Sequence, residues 1–329
     1  MFAHDSLATN AKGGTELMKF ALQAAIPADL QEHFQIFVSR VEDEMDPTKI
    51  RIYWLQDLPG DPASAHLANG GWAKFHLLVF STNWQMQAYI NHYDIPWSHC
   101  LVILNAPVKT FEAHTKPAPD AVTRLAYWST PHRGLNILVP VFKKLCEKYD
   151  NIELDVYSSF ELYGWGQRDA QFQALFDDCK NTPKINYHGT VANDDLRERL
   201  KETHILAYPS TWTETSCITL MEAMQAGLQC VHSNLGALPE TAANWTMMYQ
   251  YDEDANRHAS TFYNVLDYAI GSISDETVQN RLANQTAYTN AFFNWESRGH
   301  QWNSLLAGLV ANNPDRSVKA PQQFFNYKT

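Results

Sequence analysis

The stretch Tyr208-Pro-Ser-Thr-Trp-Thr-Glu214-Thr-Ser-Cys-Ile-Thr-Leu-Met-Glu222-Ala-Met-Gln-Ala-Gly227 packs a strand end, a polar loop and a helix into twenty residues. The apolar run Ile205 to Tyr208 stops at Pro209, and a helix period then opens near Thr215 or Ser216, either of which can cap it. Gly227 is placed to end that helix. Free amides at residues 215 to 217 would form an anion site where strand gives way to helix. Glu214 stands just ahead of the helix and Glu222 two turns inside it. A plainer reading makes Thr219-x-x-Glu222 a capping box and Glu214 a complement to the helix dipole. The pattern alone leaves both readings open.

The rest of the chain supplies the architecture. Apolar runs at residues 34–38, 50–55, 76–80, 100–104, 122–128, 152–157, 205–208 and 229–232 read as strands. Helix-period stretches lie between them at 16–25, 135–148, 170–179, 194–202 and 217–226. Alternating strands and helices predict an α/β fold with parallel sheets. The 329 residues suggest two domains. Pro107 and the Pro-bearing stretch from Thr115 to Asp120 mark the boundary. The expected layout is two Rossmann-like, doubly wound domains facing a cleft, at residues 1–107 and 108–290, with a helical segment and a polar, loosely held tail over 291–329.

Composition removes whole classes of function. With 25 Lys and Arg against 36 Asp and Glu, the net charge of -11 argues against neutralising a phosphate backbone, so nucleic acid is not an expected partner. It equally disfavours polybasic docking on anionic lipid, leaving at most a peripheral membrane association. The five cysteines are scattered without a C-x-x-C pair, the pattern of a reduced cytoplasmic chain. No apolar run reaches the roughly 20 residues of a membrane span, and Met1 to Asp5 does not read as a signal peptide. The acidic run Asp252-Glu253-Asp254 imitates a metal signature but reads as a solvated turn, and no metal or other cofactor is expected. Walker and Gly-x-Ser-x-Gly motifs are missing, and Gly164-Trp-Gly166 lacks the third glycine of a dinucleotide fingerprint.

Two glutamates separated by seven residues, after Pro-Ser and before Glu-Ala-Met-x-Ala-Gly, resemble the retaining nucleotide-sugar glycosyltransferases of the GT-B fold, and more closely the large family four. The resemblance extends to Ser129-Thr-Pro-His-Arg133-Gly134-Leu135, similar to the phosphate-binding turn that opens the family's C-terminal domain. It includes His188-Gly189 with Leu196 and Leu200, the loop Asn234-Leu-Gly236-Ala-Leu-Pro239-Glu240, and Asn294-Trp295-Glu296 at the start of a C-terminal helix crossing back to the first domain. Gly13-Gly14-Thr15-Glu16 resembles the family's glycine turn beneath the donor diphosphate.

The resemblance implies roles residue by residue. Glu214 would hold donor-sugar hydroxyls, and Arg133, where the family commonly has lysine, would pair with the diphosphate. Gly13, Gly14, Ser129, His188 and Gly189, with the amides of Thr215, Ser216 and Cys217, would bind the donor, a UDP- or GDP-sugar. Glu222 would accept from the ribose, and a hydroxyl acceptor, such as a glycan or lipid-linked sugar, would meet the first domain. Two positions depart from the pattern: Tyr127-Trp128-Ser129 lacks a second basic residue, and Gln56 stands where many members have a sugar-contacting histidine. Acceptor-side candidates are therefore His4, Gln56, Asp57 and Trp84, with His66, His92, His99, Trp72 and Trp97 behind them. Rival functions are a catalytically silent sugar-nucleotide or glycan-binding module, transfer to a modified nucleic-acid base, and epimerisation of free nucleotide sugars. Arg133→Ala or Glu214→Ala is expected to slow turnover by on the order of a hundredfold with folding intact.

Overall fold

The computed structural model describes residues 1, 13–41, 44–111, 114, 116, 118, 119 and 121–318. The chain divides into two compact units, one holding Gly14–Val108 together with the segment from Phe293 onward, the other Lys109–Phe292.

The first unit begins with α1 (Gly14–Ala25) and the short α2 (Ala28–Gln31). Strands β1 (Phe34–Val38), β2 (Ile50–Leu55), β3 (Leu77–Phe80) and β4 (Cys100–Val102) follow, with α3 (Asn83–Tyr93) between the last two. The sheet is wholly parallel and runs in chain order, β1-β2-β3-β4. Its strands are nearly continuous apolar runs because a parallel sheet is covered on both faces; Ile50, Ile52, Leu78, Val79 and Phe80 are fully buried. Thr82 caps α3 by accepting from the Gln85 amide at 3.1 Å, and Asp94 closes the helix in a left-handed conformation. Between β2 and β3 lies a 3-10 segment, Pro62–Lys74, broken at Asn69 and Gly70.

The second unit contains β5 (Thr123–Trp128), α4 (Leu135–Leu145), β6 (Ile152–Tyr157), α5 (Gln173–Asn181), β7 (Ile185–Tyr187), α6 (Asn193–Leu200), β8 (Ile205–Tyr208), α7 (Ile218–Gln225), β9 (Gln229–Ser233), α8 (Leu238–Ala242), β10 (Met247–Tyr249), α9 (Ala255–Ser272) and α10 (Glu276–Phe292). Its parallel sheet has the order β10-β9-β8-β5-β6-β7. From β5 the chain builds outward through β6 and β7, then returns to the other side of β5 for β8, β9 and β10. That reversal between β5 and β8 is where doubly wound sheets bind ligands, outside the carboxyl ends of the strands. Every residue of β8 and β9 is buried.

The last helix, α11 (Trp295–Asn312), belongs to the first unit and is capped by Asn294, whose side chain accepts from the Ser297 amide at 2.8 Å. Trp295 donates its indole N–H to the Ala106 carbonyl at 3.0 Å, and Trp302 packs edge-on against Trp54, both rings buried. The residues just beyond α11 are held rather than loose: the Arg316 guanidinium lies 3.0 Å from His33 Nδ1, and its carbonyl 3.1 Å from His76 Nε2. The tail from residue 319 lies outside the described residues, as does His4.

Candidate functional site

The site assembles from the loops that leave β5 and β8 at the sheet reversal. After Trp128 the chain makes a 3-10 turn over Pro131–Arg133, held by the Tyr127 hydroxyl donating to the Thr130 carbonyl at 2.8 Å. Gly134 follows at φ +112°, and a Cβ there would lie 2.1 Å from the Pro209 carbonyl oxygen. Only glycine fits, for the conformation and for the contact. The β5 and β8 loops therefore meet backbone on backbone, and Thr211 adds a bond from its hydroxyl to the His132 carbonyl at 3.1 Å.

Glu214 is fixed from the other side. It forms an isolated parallel bridge with Gly236, and its carbonyl accepts from the Ala237 amide at 2.7 Å. Gly236 has φ +65°, and a Cβ there would stand 2.5 Å from the Glu214 oxygen. The carboxylate, in a residue only 4% exposed, accepts the Tyr208 hydroxyl at 2.6 Å on Oε1. Arg133 Nη1 donates to both oxygens, at 2.9 and 3.1 Å. Burial works against the Arg133 charge, but Glu214 beside it outweighs burial and holds the guanidinium well above its ordinary value. Burial drives the Tyr208 phenol far upward, with the Glu214 charge adding to it, so Tyr208 stays protonated and donates to the carboxylate. Arg133 Nε is buried with no hydrogen-bond partner among the described residues.

Two sequence expectations change around α7. The helix opens at Ile218, with Cys217 at its N-cap and no side-chain cap; Thr215 and Ser216 form a bend. They do not cap it: after the bridge from Glu214 to Gly236 the chain bends at Thr215 and Ser216, and α7 starts only beyond Cys217. The capping-box reading also fails, since the Thr219 hydroxyl donates to the Trp128 carbonyl at 3.2 Å. The Ser216 hydroxyl is buried and unpartnered among the described residues. Gly227, at φ +71°, ends the helix as expected, with its amide on Met224 and that of Leu228 on Ala223. Glu222 lies inside α7 opposite Arg197 of α6, with Nη1 to Oε1 at 3.4 Å. Burial raises its carboxyl while Arg197 works the other way. Arg197 also donates to the Thr110 carbonyl at 3.0 Å and lies 4.0 Å from the Phe111 ring centre.

The remaining candidates are dispersed. Ser129 is half-buried directly after β5. His188, past β7, pairs with Asp155 at 2.6 Å and stacks on Tyr157 at 4.6 Å, next to Gly189 at φ +65°. Gly13 is a buried bend residue just ahead of α1, which Gly14 opens in the first unit. Gln56 accepts from the Asn105 amide group at 2.8 Å. The Asp57 carbonyl accepts from Gln85 at 2.8 Å and from Tyr89 at 3.3 Å, and its carboxyl is raised by burial and then by Asp61. Trp84 is half-buried on α3. His66 and His99 bond to local carbonyls, Ala63 at 2.9 Å and Trp72 at 3.1 Å. Asp254 caps α9 and Asp252 pairs with Arg257 at 2.7 Å, the solvated turn that the acidic run suggested. Sequence reasoning missed Tyr208, whose place before Pro209 could have flagged it, and Arg197, which carries no motif.

Residues 123–260 match the family described as glycosyl transferases group 1. Over 130 residues the chain is 26% identical to a subunit of human phosphatidylinositol N-acetylglucosaminyltransferase, covering 40% of this chain and 25% of that protein. Over 156 residues it is 22% identical to the gpi3 subunit of the Schizosaccharomyces pombe enzyme, covering 47% and 32%. The match thus spans a third or less of the length of these curated relatives. Among solved structures, a glycosyltransferase from Rickettsia africae superposes with a TM-score of 0.64 at 13% identity, covering 93% of this chain and 84% of its own. Anabaena Alr3699/HepE in complex with UDP and glucose gives 0.61 at 14%, covering 89% and 81%. No described helix is long and apolar enough to cross a membrane. The sheet reversal, the loops that meet there and the family match over the same residues agree: residues 123–260 are similar to the group 1 glycosyl transferases, and the chain carries the GT-B fold of its solved structural neighbours.

Proposed function

We propose that the protein is a retaining glycosyltransferase that needs no metal and moves a sugar from a UDP-sugar to a hydroxyl acceptor. The observation that carries this reading is the Arg133–Glu214 pair at the sheet reversal, with Tyr208 behind it. Arg133 spends only Nη1 on Glu214, which leaves Nη2 for the donor diphosphate, together with the amides that open α7 after Cys217. A planar guanidinium suits two phosphate oxygens at once. Glu214, held by Tyr208 and Arg133, accepts from sugar hydroxyls, and Glu222 accepts from the ribose.

In the reaction the acceptor oxygen forms a bond to C1 on the face from which the diphosphate departs. The C1–phosphate bond breaks, and the acceptor proton passes to the leaving phosphate oxygen. Fixed donors that meet the charge growing on that oxygen are the main catalytic resource, each worth about 3 kcal/mol. The first unit, with Gln56, Asp57 and Trp84, takes the acceptor. The curated relatives are named for N-acetylglucosaminyl transfer to phosphatidylinositol, which makes UDP-N-acetylglucosamine the first donor and phosphatidylinositol the first acceptor to try.

A thermal-shift screen over UDP, GDP and their sugars tests the binding step. A ligand at 100 times its Kd stabilises the fold by about 2.7 kcal/mol. Hydrolysis of the hit donor, with the anomeric configuration of the released sugar read by NMR and with chelator added, tests chemistry, retention and metal independence. Failure of every nucleoside diphosphate to stabilise the protein overturns the reading. Binding without donor turnover leaves a silent binding module instead.

A further inference from the structure

The loop after β6 has no part in the donor contacts above, yet its aromatic rings pack against the β5 loop that carries Arg133. Residues Phe160–Tyr163 and Gly166–Phe172 form two 3-10 turns. Asp169 fixes the loop by accepting from the Phe160 amide at 2.8 Å and from the Ser159 hydroxyl at 2.5 Å. A continuous row of rings follows. Trp212 meets His132 edge-on at 5.0 Å, and His132 stacks on Phe160 at 5.3 Å with 11° between planes. The Arg168 guanidinium lies 6.0 Å from Phe160 and 4.5 Å from Trp165, which in turn packs on Tyr163 at 5.4 Å. Trp212 is 40% exposed, Phe160 forms a buried floor, and Arg133 sits 5.6 Å from the Trp212 ring.

The charge here runs against the rest of the chain. The protein is net -11, but two arginines flank this row. The acids nearby are mostly committed: Glu214 to Arg133 and Tyr208, Asp169 to the loop backbone. Glu161 remains, exposed on the same loop. Arg168 is exposed, and its guanidinium makes no hydrogen bond or ion pair among the described residues. His132 is held neutral, its pKa pushed down to about 4 by burial and then by the two arginines, so it contributes a ring and not a charge. The exposed Trp212 ring suits the C–H face of a pyranose, the half-buried Trp165 ring backs the Arg168 guanidinium, and that guanidinium suits an anion.

We propose that Trp212, Trp165 and Arg168 form a subsite for an anionic saccharide, a pyranose ring bearing a carboxylate or a phosphate. That its occupant is part of the acceptor rests on the glycosyltransferase reading; the binding itself does not. Saturation-transfer NMR with methyl glucuronide, glucose 6-phosphate and neutral methyl glucoside tests it, with UDP present to occupy the diphosphate site. UDP affinity is measured separately, so its failure strikes the proposed function and not the subsite. The expected result is binding of both charged sugars about tenfold tighter than the neutral one. Arg168→Gln erases that preference and leaves methyl glucoside and UDP binding unchanged, while Trp212→Leu weakens all three sugars. A stronger response to glucuronide or to phosphate names the anion. Equal binding of charged and neutral sugars, no sugar binding at all, full binding by Trp212→Leu, or loss of UDP instead of sugar in Arg168→Gln overturns it.

Discussion

Two parallel sheets of similar material lead to different sites. In the first unit the described strands follow in chain order, β1-β2-β3-β4, without a reversal. Two of its candidates are tied to neighbouring elements, the half-buried Gln56 side chain to Asn105 and the Asp57 backbone carbonyl to Gln85 and Tyr89. In the second unit the order reverses between β5 and β8, and two loops leave the sheet side by side. There Arg133 and Glu214, 81 residues apart, meet at 2.9 Å. A parallel sheet alone does not make a site. The reversal does, because it parts the helices on either side and leaves neighbouring loops and helix ends facing one space.

The largest test of that contrast is functional. Arg133→Ala and Glu214→Ala are expected to cut donor hydrolysis by on the order of a hundredfold or more, while Gln56→Ala changes it less than about threefold. The pairing also revises the expectation of intact folding. Removing one member of a buried ion pair leaves the other uncompensated and costs about 3 to 5 kcal/mol. Glu214→Gln, which still accepts from Tyr208 and Arg133, is the variant that separates activity from stability. Equal losses in Gln56→Ala and Glu214→Gln would erase the distinction between the units.

A second contrast uses one substitution in each unit. Gly134 and Gly70 both have positive φ, but a Cβ at Gly134 meets the Pro209 oxygen at 2.1 Å, whereas at Gly70 nothing lies within 4 Å. Gly134→Ala should destabilise by about 3 kcal/mol or more, and Gly70→Ala by about 1 kcal/mol, as urea midpoints would read. Similar values would mean the two loops can part cheaply.

Acid should weaken the second unit through His232. It is fully buried on β9, its ring nitrogens bonded to the Ser233 carbonyl at 2.8 Å and the Thr246 hydroxyl at 2.7 Å, and burial lowers its pKa to about 4. The unfolded chain takes up this proton first. The histidine therefore costs nothing above about pH 6.5, and stability falls as pH drops from there toward 4, by about 2 kcal/mol. Denaturation at pH 7.5 and pH 5 checks this, and His232→Gln should flatten the slope. An unchanged slope would remove His232 from the account.

The fold was legible because parallel strands buried on both faces must be apolar throughout, so runs such as Ile205 to Tyr208 stand out. Short β10 and the broken 3-10 segment at residues 62–74 were not, having neither length nor period. Glu214, Glu222 and Arg133 could be singled out by spacing, but not the pairing of Glu214 with Arg133, which depends on a strand order no local pattern encodes. The helix start was misplaced by two or three residues because Thr215 and Ser216 have capping chemistry, whereas the chain there obeys the long-range bridge between Glu214 and Gly236.

Tyr208 gives the smallest and sharpest test. It is fully buried, and its hydroxyl donates to Glu214 Oε1 at 2.6 Å beside the Arg133 guanidinium. Tyr208→Phe keeps the ring packed against Tyr127, 5.9 Å away, and removes the hydroxyl that meets Glu214 and Arg133. The carboxylate then keeps Arg133 but loses the donor that fixes its rotation. Such a loss acts on orientation of the bound sugar and not on nucleotide affinity, so kcat for donor hydrolysis should fall about tenfold with KM for the donor nearly unchanged. Tyr53 offers the matching control in the first unit: it is also buried, and its hydroxyl donates to the Ser39 carbonyl at 2.8 Å. Tyr53→Phe should lower stability by about 1 kcal/mol and leave kcat alone. If both variants lose stability and neither loses kcat, the Tyr208 hydroxyl serves the fold in the same way as its counterpart, and Glu214 needs no third partner to work.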